Sequence, residues 1–138
     1  KDAMTDHAAT RFILVGHCGP DGSMLKSAVQ RAVHDAEIVH ANSAEQLDAE
    51  RGPDRVWLVN RVLDGSFDTS EGVKLIQHEG HREEAPVMLL ISNYADAQQA
   101  AVAAGAREGF GKSGLYDGET TDRLRAAASS AANAAANR

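Results

Sequence analysis

Residues Val56 to Val59 form an unbroken apolar run, Val-Trp-Leu-Val, that passes directly into Asn60 and a polar loop. A run this short and this uniformly apolar predicts a strand buried on both faces, and therefore a sheet with helices packed above and below it. In such a sheet the loops at the carboxyl ends of the strands face the ligand crevice. Asn60, the first polar residue after the run, thus marks the candidate site.

Two further runs repeat the pattern. Phe12 to Val15 breaks into Gly16-His17-Cys18-Gly19-Pro20, and Val87 to Ile91, introduced by Pro86, stops at Ser92-Asn93. Ile38-Val39 predicts a weaker second strand. Gly109-Phe110-Gly111 is poor by propensity, but its place after the preceding β-α units predicts a short fifth strand with Lys112 at its end. Between these runs, apolar residues recur at helical spacing. Asp21 or Ser23 is expected to cap a helix with Leu25, Ala28, Val29, Ala32, Val33 and Ala36 on one face. Ser43 precedes a short helix from Ala44 to Glu50, stopped by Gly52-Pro53. Gly72, Leu75 and Ile76 mark a third helix. Ala97, Ala100, Ala101 and Ala104 give a fourth with a sheet-hugging alanine face, closed by Gly105. Glu119 to Ala128 makes a fifth, with Leu124 its only large anchor. The Ala-rich tail at 129–138 either prolongs that helix or frays, and residues 1–10 read as a disordered lead-in to a domain at 11–128. Five strands alternating with five helices imply a flavodoxin-like doubly wound parallel sheet of order 2-1-3-4-5, whose crevice lies between strands one and three.

Composition narrows the function classes. A chain of 138 residues suits one domain. Fourteen Lys and Arg against twenty Asp and Glu give a net charge of −6 with no basic stripe, which disfavours nucleic acid and anionic membrane surfaces as partners. The single cysteine, Cys18, excludes an intrachain disulfide. With no apolar leader and no 18-residue hydrophobic run, the expectation is a soluble cytoplasmic protein. No spaced set of nucleophile, base and oxyanion donor is present, so an enzyme ranks behind a signalling or sensing module.

With these marks in order, the chain resembles the receiver domain of two-component response regulators over residues 11 to 128. The resemblance rests on the three strand runs with polar exits, on Ser92 after the fourth strand, on the Ala-rich helix leading to Gly105-Ala106, and on Lys112 six residues beyond Ala106. It implies an aspartate at the tip of strand three that accepts a phosphoryl group, and an acidic pair after strand one that holds Mg²⁺. Here the aspartate's position falls on Asn60. The acidic pair falls on Gly16 and His17, or on His17 and Cys18 in the neighbouring register. Ser92 matches the family's hydroxyl residue and Lys112 its lysine, whereas Ser113 replaces the usual following proline and Gly109, beside Phe110, replaces the aromatic switch residue. The resemblance further implies a partner surface built from helix four, strand five and helix five.

The chemistry of these replacements stands without the family. An amide cannot take up a phosphoryl group as an acyl phosphate. Glycine, imidazole and thiol are poor substitutes for the oxygen ligands that Mg²⁺ prefers, so no cofactor is expected and Mg²⁺ binding should be lost or weak. Lys112 is expected to hydrogen-bond Asn60 or a backbone carbonyl. The leading reading is an atypical, phosphorylation-independent receiver acting through contact with a protein partner or a second copy. One alternative is a small-molecule or metal sensor using the same crevice. Another is a displaced phosphoacceptor, Asp64 or Asp68, in the loop after Asn60. His17-Cys18 invites a metal or redox role, although adjacent residues leaving a strand point opposite ways. Gly111-Lys112-Ser113 lacks the earlier glycine of a phosphate-binding loop, where Ala106 stands. His78-Glu79-Gly80-His81 is one residue short of zinc-protease spacing and is better explained as a solvated helix end.

Overall fold

The computed structural model describes residues 10–136, so the expected lead-in lies, apart from Thr10, outside the described residues. Five strands, β1 (Arg11–Val15), β2 (Glu37–Ala41), β3 (Arg55–Asn60), β4 (Val87–Ile91) and β5 (Arg107–Phe110), form one sheet of order β2-β1-β3-β4-β5. Every neighbouring pair runs parallel. The order and direction expected from the sequence are those of the structure.

Alternation along the apolar runs divides the core in two, as a strand period of two requires. Phe12, Leu14, Val56, Leu58, Leu89 and Ile91 face one side of the sheet, under helices α1 (Gly19–Ala32) and α5 (Gly118–Ala136). Ile13, Val15, Trp57, Val59, Met88 and Leu90 face the other, under α2 (Ala44–Asp48), α3 (Gly72–Gly80) and α4 (Ala95–Ala103). Both faces are therefore dry, which is why these strands read as continuous apolar runs. No described helix is long and apolar enough to cross a membrane.

Several boundaries differ from the sequence expectations. α1 starts two residues earlier than the proposed Asp21 cap: Cys18 occupies the N-cap without a side-chain bond, and Pro20 lies in the first turn, where its fixed φ suits a helix start. Asp21 is thereby turned from a cap into a first-turn side chain. The helix also ends at Ala32, because Val33 is already extended. Ser43 does cap α2, accepting the Gln46 N–H. On α4, Ala101 is buried and Ala97 and Ala104 pack partly, but Ala100 is exposed, so the alanine face is narrower than expected. Of the two courses open to the tail, the structure takes the helical one as far as Ala136. α5 continues through it, with Ala127, Ala128 and Ala131 buried behind the fully buried Leu124.

Candidate functional site

Gly16 leaves β1 at φ +74, a left-handed conformation that favours glycine, and a Cβ there would lie 2.7 Å from Leu63 Cδ2. This close approach lets the loop after β3 fold down over the end of β1. The Gly16 carbonyl then accepts both the Asn60 Nδ2–H (2.9 Å) and the Asp64 N–H (2.9 Å). The chain after β3 is thereby tied to the exit of β1, at the crevice expected between strands one and three. A cleft of about 330 Å³ lies over the ends of β3 and β4 and is lined by Asn60, Arg61, Ser92, Asn93, Tyr94 and Lys112, among others.

Lys112 does not bond Asn60 or a backbone carbonyl. Its Nζ lies 2.6 Å from Asp21 Oδ2, across 91 residues of sequence, with both side chains about a third exposed. The ammonium, then the Cys18 thiol, hold the Asp21 carboxyl below its usual range by hydrogen bonding. A carboxylate from the first turn of α1 thus supplies the charge that Asn60 cannot. Ser92 Oγ accepts the Tyr94 N–H at 3.1 Å, and Asn93 Oδ1 accepts from the Ser113 N–H and hydroxyl. Arg61 spreads its guanidinium over the Tyr94 ring, 4.7 Å from the centroid.

His17 is almost fully buried, and its Nε2 donates to the Leu58 carbonyl at 2.9 Å. The carbonyl can only accept, so the proton is on Nε2 and the unpartnered Nδ1 carries a bare lone pair. Burial lowers its pKa to about 4, with Lys112 pushing the same way and the Leu58 bond opposing. The imidazole is neutral at pH 7 and commits one nitrogen to the backbone. Among the described residues no group of three His, Cys, Asp or Glu is placed to hold a metal ion. The Mg²⁺ that the receiver resemblance brings with it does not fit here. Gly16 offers no side chain, Asn60 turns its NH₂ to Gly16, and the Asp21 carboxylate is taken by Lys112.

Asp64 and Asp68 are exposed and neither lines this cleft; Asp68 borders a separate one between α2 and α3. Glu79, read from sequence as part of a solvated helix end, is buried there beneath Arg51 (3.1 Å) and Arg82 (3.2 Å). At Gly109, where the resemblance implies an aromatic residue, the backbone passes so close to Leu90 that no side chain fits, and the neighbouring Phe110 is buried in the core. The β4–β5 register is irregular between Leu89 and Ile91, and Gln98 of α4 fills the gap. Its Nε2 donates to the Leu90 and Ser92 carbonyls (2.8 and 3.1 Å) and its Oε1 accepts the Gly109 N–H (2.9 Å).

Sequence reasoning missed Asp21, Arg61, Tyr94 and Gln98 as site residues. Arg61 and Tyr94 directly follow or nearly follow the strand tips Asn60 and Ser92, a signal that was available. Asp21 and Gln98 carried none, since each acts through a partner on another element.

The sheet order and the helices around it define the CheY-like, flavodoxin-type fold of receiver domains. Solved structures agree. A protein assigned as a response regulator from Chloroflexus aurantiacus superposes with a TM-score of 0.67 at 19% identity, covering 88% of this chain and 99% of its own. The BeF3-activated N-terminal receiver domain of Klebsiella pneumoniae RstA gives 0.63 at 20% identity, covering 86% and 97%. A response regulator from Thermotoga maritima gives 0.62 at 17%, covering 89% and 100%. No protein-family model matches the sequence, and no curated protein matches it.

Proposed function

We propose that this chain is a receiver-type signalling module that works without aspartyl phosphorylation, presenting its α4–β5–α5 face to a protein partner or to a second copy. The observation that carries the reading is the pairing of Lys112 with Asp21 beside an Asn60 amide tied to Gly16. The lysine is already neutralised, and no carboxylate lines the cleft to accept phosphate. The Gln98 clamp supports a fixed face, because it ties α4 to β4 and β5 in place of an aromatic side chain that could change rotamer. Val102, 47% exposed on α4, supplies apolar contact area on that face.

Incubation with acetyl phosphate and Mg²⁺, followed by intact mass and by amide exchange across α4, β5 and α5, tests this reading. The expected result is no mass gain and unchanged exchange. A stable gain of one phosphoryl group, lost in Asp64→Ala, overturns it in favour of a displaced acceptor.

A further inference from the structure

The cleft over β3 and β4 is lined by two basic side chains, one of them already paired, in an acidic protein. Of the residues lining it, the charged ones are Arg61 and Lys112, against a net charge of −6 for the whole chain. Arg61 has no carboxylate partner among the described residues; its guanidinium lies on the Tyr94 ring. Lys112 is held by Asp21, but that ion pair is partly solvated, so the carboxylate can return to water at little cost if another anion takes its place. Asp21 is in effect an internal anion on the lysine.

The neutral groups are set to receive oxygens as well. Ser92 is buried and spends an Oγ lone pair on the Tyr94 N–H, which leaves its hydroxyl proton to donate. Val62 and Tyr94, two of the five large hydrophobic side chains exposed among the described residues, both line the cleft. A flat, cation-bearing aromatic surface beside a hydroxyl and an ammonium matches a ligand with a planar ring at one end and several anionic oxygens at the other. The volume of about 330 Å³ admits one such small molecule and lies at the lower end of known ligand pockets, about 300–1,000 Å³.

We propose that this cleft binds, without covalent chemistry, a small organic phosphate bearing a planar ring, of nucleoside monophosphate size. The phosphate takes Lys112 from Asp21 and accepts from Ser92, while the ring packs against the Arg61–Tyr94 stack and Val62. The proposal deepens the phosphorylation-independent reading by naming what the same site takes. The two fail separately, since one is read as covalent mass and the other as reversible heat.

Calorimetric titration of the full chain with adenosine monophosphate, inorganic phosphate and adenosine tests it. The monophosphate is expected to bind at least about tenfold more tightly than either fragment. Asp21→Asn, which removes the competing carboxylate, is expected to tighten it severalfold, and Lys112→Met to weaken it by about tenfold or more. Tyr94→Ala is expected to weaken the monophosphate and leave inorganic phosphate unchanged. Absence of monophosphate binding at millimolar concentration in both the natural chain and Asp21→Asn overturns the proposal. So does equal binding of adenosine and the monophosphate, or an affinity indifferent to Lys112→Met in a variant whose circular dichroism is native.

Discussion

Lowering the pH from 7 to 4.5 will destabilise this protein chiefly through one side chain, His17. Its ring is buried and neutral, and its pKa falls from 6.5 to about 4 on folding. The unfolded chain therefore binds a proton that the folded chain refuses throughout this window. The stability tied to the neutral ring is complete above pH 6.5 and drains away as the pH falls towards 4. At pH 4.5 the loss amounts to about 2.5 kcal/mol, because each tenfold difference in proton affinity between the folded and unfolded chain is worth about 1.4 kcal/mol. Asp21 and Glu50 also have lowered values, Glu50 chiefly through its hydrogen bonds from Arg11. Their contributions are lost only as the pH falls below their ordinary values, 3.8 and 4.5, and so lie beneath the His17 window. The control is His17→Gln, an amide that can donate to Leu58 but does not titrate. Urea unfolding followed by the fluorescence of Trp57, the single tryptophan and fully buried, reads both proteins across the range. With a urea slope of about 2 kcal/mol per molar, the natural chain will lose roughly 1.2 M of midpoint relative to His17→Gln between pH 7 and 4.5. Parallel pH profiles for the two proteins would refute the reasoning.

Two other consequences are open to the same unfolding assay. Gln98→Leu removes three hydrogen bonds and strands the Gly109 N–H and the Leu90 carbonyl between β4 and β5. It is expected to cost about 2–4 kcal/mol and to speed exchange at the Gly109 amide before that of β1 or β3; a loss under about 1 kcal/mol with unaltered exchange contradicts the clamp. Leu124→Ala empties the one large buried side chain of α5 and is expected to cost about 2–5 kcal/mol, with the alanines beyond it losing exchange protection first. If the helix end stays protected, Ala127, Ala128 and Ala131 hold α5 on their own.

The sheet was legible from sequence because its cause is local. Val56 to Val59 is apolar at every position since both faces of β3 are covered, and that need is written into four adjacent residues. The same holds for Phe12 to Val15 and Val87 to Ile91, whose spacing left little choice of order or direction. The fifth strand was placed by topology rather than propensity, and its bounds moved accordingly to Arg107–Phe110. The site was only half legible. Asn60, Ser92 and Lys112 do border one cleft, as their positions at three strand ends required. The partner of Lys112 did not follow, because a polar contact is decided by where α1 begins and how far its first turn brings Asp21 across the sheet.

By itself, then, the sequence determined a parallel sheet of five strands in a set order and the absence of an acid at the tip of β3. Both follow from residue type and spacing along the chain, where burial imposes its period directly. Tertiary structure alone decided that Gly16 admits Leu63 over the end of β1, that Asp21 takes Lys112, and that Gln98 joins α4 to the sheet. Such pairings depend on ångström-scale placement of loops and helix ends, and hydrogen bonds lose their strength over less than about one ångström of error.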